Sequence, residues 1–309
     1  MSAQPQTPGA TSQPPPARVE GAPSPISDFP EPISLEDNEQ IFKIKNFSFD
    51  ERQPNFAYNG YTFATRDKRI KFRDGGEEME AEQSDIVVIR AGKVVRRFEG
   101  MSYGLGVATR FGLFPFLGGT ENQVVIEQTV NRGENYWIID VAGHEPHLLY
   151  DGGGLAMADF DDDGVMELFR RIETFWFFYN LNNVNSPFPT AVLKYDKQGK
   201  KYLLANRQFA SYVLSDVDEA TRIVEAKRPT SEQQKEPVLH GSGIVPDHKH
   251  ADYLGAVLSV MLDYIYAGKE AEGWAFYERE YNLSDKERLR HKIKSQLAGD
   301  EVYKQLYAR

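Results

Sequence analysis

The chain has 309 residues, with 36 Lys and Arg against 46 Asp and Glu for a formal net charge of −10; 40% of the residues are hydrophobic and 12% aromatic. That content fills a core for one main domain and an appendage, while the acidic balance disfavours nucleic acid, whose phosphates are bound by Lys and Arg. With no cysteine, disulfides, thiolate zinc sites and cysteine nucleophiles are excluded.

Residues 1–34 hold nine of the seventeen prolines and almost no large apolar side chain. Such a segment cannot bury enough surface to offset its ordering entropy, and a disordered Pro-rich tail is expected, acting as a tether. The N-terminus lacks a basic stretch followed by an apolar one, and no apolar run nears the ~20 residues of a membrane span. A soluble chain without an export signal of its own is expected.

Residues 35–215 have the texture of a β domain, with short apolar or alternating runs between turn residues. Hairpins are expected where 86–89 and 94–98 flank Ala91-Gly92, and where 124–130 and 136–141 flank 131–134. Further strands are expected at 147–150, 167–170, 175–179, 191–195 and 202–205. The stretch rich in Gly between Gly100 and Gly119 contains no G-K-[ST] and is not a phosphate-binding loop; strand ends and bends account for its glycines.

Within that domain Asp159, Phe160, Asp161, Asp162, Asp163, Gly164, Val165, Met166 and Glu167 read D-x-D-x-D-G-x-x-E. Ca²⁺ takes six to eight oxygens at ~2.3–2.6 Å, and a curled loop turns alternate side chains inward to supply them. Asp159, Asp161 and Asp163 are the expected inward carboxylates, Val165 offers its backbone carbonyl, Glu167 closes the site, and Asp162 points out. An acidic surface turn is the alternative, but four carboxylates so close repel at ~1 kcal/mol per pair even in water. Arg170 stands where an EF-hand places its bidentate Glu, so the flanks are expected to be strands.

The run from Leu155 to Leu168 resembles the calcium loop of FG-GAP or VCBS-type repeats, which build β-propeller blades. The resemblance implies that Asp159, Asp161, Asp163, Val165 and Glu167 bind the ion, and it fits a secreted or periplasmic protein. Asp162 stands where that family usually has Gly, and a single copy is present where a propeller carries several. Residues 122–214 also resemble uncharacterised bacterial proteins carrying this loop once, followed by an aromatic segment, a Ser-Pro-x-Pro turn at 186–189 and a hairpin.

Residues 216–250 read as an irregular linker. His240, Asp247, His248, His250 and Asp252 cluster there and just beyond, a spacing that fits no defined zinc motif; Asp247 serves equally as a helix N-cap. His144 and His147 bracket Pro146 in a turn. Residues 251–309 read as helical: Leu254, Val257, Leu258, Met261, Leu262, Ile265 and Tyr266 share one face, with Gly268 as C-cap. That face is expected to dock on the β domain. Trp274, Tyr277 and Tyr281 mark a short aromatic-faced helix. Ser284 and Glu287 form a capping box opening a third helix, striped by Leu289, Ile293 and Leu297 up to Gly299. The whole reads as a mainly β protein, built of propeller-blade-like or sandwich-like antiparallel sheets with a helical C-terminal segment. Its expected role is a calcium-binding, non-enzymatic module for a protein or glycan partner. A hydrolase using the calcium loop or the 240–250 segment is the alternative.

Overall fold

A computed structural model describes residues 30, 32–34, 48–51, 55–74, 76–103, 108–130, 133–235 and 250–308. The strands are β1 (Ile33–Ser34), β2 (Ser48–Glu51), β3 (Asn55–Tyr58), β4 (Tyr61–Asp74), β5 (Glu77–Arg90), β6 (Lys93–Phe98), β7 (Ser102–Tyr103) and β8 (Ala108–Phe114). They continue with β9 (Gln123–Val130), β10 (Gly133–Asp140), β11 (His147–Gly152), β12 (Ala156–Ala158), β13 (Glu167–Arg171), β14 (Thr190–Asp196) and β15 (Lys201–Leu204). The helices are α1 (Ala210–Val213), α2 (Val217–Lys227), α3 (Ala251–Tyr266), α4 (Glu270–Glu280), α5 (Lys286–Gly299) and α6 (Glu301–Tyr307).

The fold is mainly β with a helical C-terminal segment, and its strands make three antiparallel sheets. The first runs β3-β4-β5-β6 with β7 on β5, the second β2-β8-β9-β10-β11, and the third β1-β12-β13-β14-β15. Tight turns begin this pattern. Asn59-Gly60 joins β3 to β4 and Ala91-Gly92 joins β5 to β6, and both residues of each pair have positive φ, as the hairpin turn that matches strand twist requires.

The sheets stack face to face, and the alternation of side chains along each strand shows how. On the second sheet Phe111, Val124, Ile126, Trp137 and Ile139 join Phe63, Ile86 and Val88 of the first sheet. Their neighbours Phe114, Val125, Tyr136 and Ile138 join Met157 and Leu168 of the third. Sheets dry on both faces need continuous apolar runs rather than alternation, which is why 124–126 and 136–139 are apolar throughout. Across the first interface the buried amide of Gln128 donates to the Ser84 carbonyl at 2.8 Å and accepts from the Met101 N–H at 2.9 Å.

On its far side the third sheet meets the helices. Ala158, Phe169 and Val192 pack with Phe209 and Val213 around α1, while Ala191, Ile172 and Phe175 join the helical core. Helix α3 is its axle: all seven residues of the expected face are fully buried, and so are Tyr253 and Val260. It docks on the β part through Phe175 and Ala191 and is otherwise wrapped by the other helices. It ends in a paired cap, the Gly268 N–H bonding the Ile265 carbonyl and the Lys269 N–H the Tyr264 carbonyl, both at 2.9 Å. None of the described helices is long and apolar enough to cross a membrane.

Four expectations are corrected. Residues 175–179 form no strand: Phe178–Asn180 is a 3-10 turn, and Phe177, Tyr179 and Asn180 have positive φ. Phe175, Phe178 and Tyr179 face the helical core while Trp176 and Phe177 are exposed, a spacing that a period of two cannot produce. The Ser186 hydroxyl accepts the Phe177 N–H and ties the turn down. The expected disordered tail ends early, because Ile33–Ser34 pairs as a strand with Met157 and Ala156, and Ile33 packs against the core between the second and third sheets; residues 1–29 lie outside the described ones. Within the stretch read as linker, Val217–Lys227 is a helix that buries Val217 and Val224. The third C-terminal helix starts at Lys286 after Asp285, not at a Ser284 cap. The Asp285 carboxylate instead accepts the hydroxyls of Tyr179 at 3.0 Å and Tyr281 at 2.9 Å.

Burial, with the Asp216 carboxylate as second cause, pushes the Asp263 carboxyl in α3 up to about 8. An acid so raised keeps its proton when folded but ionises when unfolded, so stability should fall as pH rises from ~4 towards 8. Asp263→Asn should therefore melt a few degrees higher than the parent at pH 8 and at the same temperature at pH 4. Calorimetric melts across that range check both ends.

Candidate metal centre

The acidic loop joins β12 to β13, so the sheet that carries it is clamped on both faces before the loop begins. Its second residue, Phe160, packs its ring on Phe169 at 4.6 Å, Tyr212 at 4.6 Å and Phe209 at 5.9 Å. Val165 is buried at the other end. With both apolar residues anchored, the intervening carboxylates have little freedom. Asp162 has φ +55 and is exposed; this left-handed position is one that Asp tolerates better than most residues. Gly164 follows at φ +80.

Backbone N–H groups line the curl. Asp159 accepts from the Asp163 N–H at 3.1 Å and the Gly164 N–H at 2.9 Å, and Asp163 accepts from Val165 at 2.9 Å. Glu167, 0% exposed, accepts from the Phe160 N–H at 2.8 Å. Carboxylate oxygens of Asp159, Asp161 and Glu167 all lie within 4.8 Å of one another. Two oxygens on opposite sides of one Ca²⁺ are separated by about twice the ~2.4 Å ligand distance, so these three fit a single ion of that size. An all-oxygen set suits a hard cation. Asp163 stands outside this trio, and the N–H of Val165 is engaged with it.

Sequence reasoning missed Lys194. It sits on β14, one step along from the Leu168–Leu193 pair and so beside Glu167. Its ammonium donates to Asp161, to Glu167 at 3.2 Å and to Asp163 at 3.4 Å. Its charge also lies 5.9 Å from the centre of the Phe209 ring. Burial would lower the Lys194 pKa, but bonds to Asp161 and Glu167 outweigh it and raise it above the ordinary value. Burial raises Glu167 despite the Phe160 N–H and Lys194. Asp163 is lowered, its burial outweighed by the Val165 N–H and Lys194. Only the strand register brings Lys194 to Glu167 across a sequence separation of 27, and no local spacing could have announced it. Lys194 also borders an open cleft of about 440 Å³ with Tyr195, Asp196, Arg207 and Leu306.

One glycine of the Gly-rich stretch belongs here too. Gly118 has φ +71, and a Cβ on it would lie 2.3 Å from the Gly164 carbonyl oxygen; the nearby Met166 N–H bonds the Phe116 carbonyl at 2.8 Å. The other candidate residues that are described do not converge. His240, Asp247 and His248 lie outside the described residues. His250 is the N-cap of α3, and Asp252, exposed in the first turn, pairs with Lys227 at 3.0 Å. The His144 carbonyl accepts the Tyr61 hydroxyl, and the His147 ring meets the Lys200 carbonyl.

No family matches this chain, and neither a curated protein nor a solved structure matches it with significance.

Gly118→Ala should destabilise the fold by about 2–3 kcal/mol, adding a backbone clash to the ~1–2 kcal/mol of a left-handed residue. Gly119 has φ +78 but nothing within 4 Å of its would-be Cβ, so Gly119→Ala should cost only the conformational part. Urea unfolding of both variants separates the two costs.

Proposed function

We propose that the chain is a calcium-binding, non-enzymatic module in which Asp159, Asp161 and Glu167 hold the ion, assisted by Asp163 and the backbone at Val165. The observation that carries the reading is the convergence of three carboxylates, one of them fully buried, on a point that already attracts a cationic side chain. Charge supports it. Asp159, Asp161, Asp163 and Glu167 bring four negative charges against the one ammonium of Lys194, and a divalent ion discharges most of the remainder. When bound, Ca²⁺ would supply a cross-link between the two strands flanking the loop. The chain's own N–H groups orient the carboxylates for it, and the anchored Phe160 and Val165 hold the loop ready. The partner class, protein or glycan, rests on the resemblance alone.

A second reading is favoured by the Lys194 contacts themselves: the ammonium is the loop's permanent counter-ion and no metal enters. The two readings part in calorimetric titration of the chelator-treated chain with Ca²⁺, run beside thermal melts. Under calcium binding, Ca²⁺ at a hundred times Kd should add about 2.7 kcal/mol of stability. Asp161→Ala should abolish the gain and Asp162→Ala should keep it. Lys194→Met should be less stable without metal, because Glu167 loses its partner, yet should bind Ca²⁺ several-fold more tightly. Neither heat nor a melting shift in the parent chain at millimolar Ca²⁺ would hand the loop to Lys194.

A further inference from the structure

The third sheet and α6 leave an open cleft between them, about 440 Å³ in volume, a size that suits a small organic ligand. Its walls come from β14 (Lys194, Asp196), from the turn after β15 (Arg207, Gln208) and from α6 (Gln305, Leu306). Across β14 and β15 the pair Tyr195–Tyr202 turns toward the second sheet. The next pair, Lys194–Leu203, therefore lies on the opposite face, the one that meets the helices. Leu203 lines the cleft and is 43% exposed, so an apolar side chain stands open beside the Lys194 stem.

Donors outnumber acceptors among the side chains of these walls. Lys194 and Arg207 are cations, and Gln208 and Gln305 are exposed amides. The carboxylate of Asp196 is engaged by its own turn, accepting the N–H groups of Gln198 at 3.1 Å and Gly199 at 2.8 Å. Arg207 is held in place. Its guanidinium donates to the Leu306 carbonyl at 2.8 Å and lies 5.3 Å from the centre of the Tyr307 ring. Its stem runs against the Gly268 cap of α3, where a Cβ would come within 2.8 Å of the Arg207 Cγ. That carbonyl takes one of the five N–H donors of the fork, and a fork held in this way binds a carboxylate with little further loss of freedom.

We infer that this cleft binds an organic carboxylate, its charge toward Lys194 and Arg207 and its apolar body toward Leu203, and that Ca²⁺ in the acidic loop strengthens the binding. The role of Ca²⁺ rests on the calcium reading above. Without an ion the Lys194 ammonium is committed to Asp161, Asp163 and Glu167, and an anion approaching it meets the repulsion of those carboxylates. A divalent ion among them cancels two negative charges next to the ammonium, which loosens their hold on Lys194 and lowers the repulsion. The sign of the coupling follows: Ca²⁺ favours the carboxylate, and by linkage the carboxylate favours Ca²⁺ by the same factor. The exposed Leu203 selects an organic anion over inorganic phosphate.

Ligand-observed NMR titration of the full chain with hexanoate, in chelator and in saturating Ca²⁺, tests the inference. Binding at ~1 mM is expected with Ca²⁺ for so small a ligand, and about tenfold weaker binding without it. Hexanol, which lacks the charge, and inorganic phosphate, which lacks the apolar body, should each bind about tenfold more weakly than hexanoate. Arg207→Met should weaken hexanoate about tenfold while its calorimetric Ca²⁺ titration matches the parent's, which also reports that the variant is folded. Lys194→Met should move the two affinities in opposite directions, tightening Ca²⁺ as argued above and weakening hexanoate, a split that a merely structural lysine would not produce. A parent that binds Ca²⁺ but takes hexanoate no better with the ion than without it overturns this inference and leaves the calcium reading standing. So does hexanol or phosphate binding equal to hexanoate's, or an Arg207→Met variant that binds hexanoate like the parent. No Ca²⁺ binding at all removes the calcium reading and this inference with it.

Discussion

The second sheet has no wet face, and the rest of the molecule follows from that. Side chains alternate along a strand, so a slip of one residue in β9 or β10 would exchange the sets facing the first and third sheets. Val124 and Ile126 on one side and Val125 on the other belong to different cores, and each core is complete only in one register. Polar residues are admitted where they are paired. Glu127 meets Arg110, and Gln128 bridges to the backbone of Ser84 and Met101. This clamping passes to the third sheet through Met157 and Leu168, and so fixes both strands that bracket the acidic loop.

The loop in turn concentrates charge that the fold must answer. Carboxylates repel more strongly as they leave water, and Glu167 has left it altogether. Part of the answer is local: N–H groups of Phe160, Asp163, Gly164 and Val165 all point at carboxylate oxygens. Another part comes from β14, whose Lys194 reaches into the same space. The ammonium stands among the carboxylates of Asp161, Asp163 and Glu167, so the fold couples the loop to that strand and to the cleft that Lys194 borders.

Away from these cores the molecule handles exposure by pairing charges, as between Lys71 and Glu78 of the β4–β5 hairpin. Two pairs of exposed apolar groups are held in place rather than left loose. Phe72 and Met79 are opposed by strand register, and Trp176 and Phe177 stack at 5.0 Å on a turn with three left-handed residues. Such backbone costs free energy and persists only where surrounding contacts enforce it, here Phe175 in the helical core and the Ser186 hydroxyl.

The acidic loop was legible in the sequence because a curled turn is a local object: carboxylates at alternate positions, a glycine and a closing glutamate lie within nine residues. Helix α3 and its cap were legible for the same reason, since a 3.6-residue period and a following glycine need no distant partner. Strands such as β11, β13, β14 and β15 declared themselves by apolar runs, and the Ala91-Gly92 hairpin by its turn chemistry. Asn59-Gly60 carried an equally strong turn signal that the apolar runs around it obscured. The aromatic run at 175–179 misled because bulky residues favour strands locally, while its conformation answers to the helical core and to Ser186. Which sheets stack, that Lys194 lies among the carboxylates, and that Phe72 faces the same way as Met79 were decided only by tertiary structure. Each depends on the register between strands separate in the chain, and register is settled by burying whole faces at once, a property that no local run of residues contains.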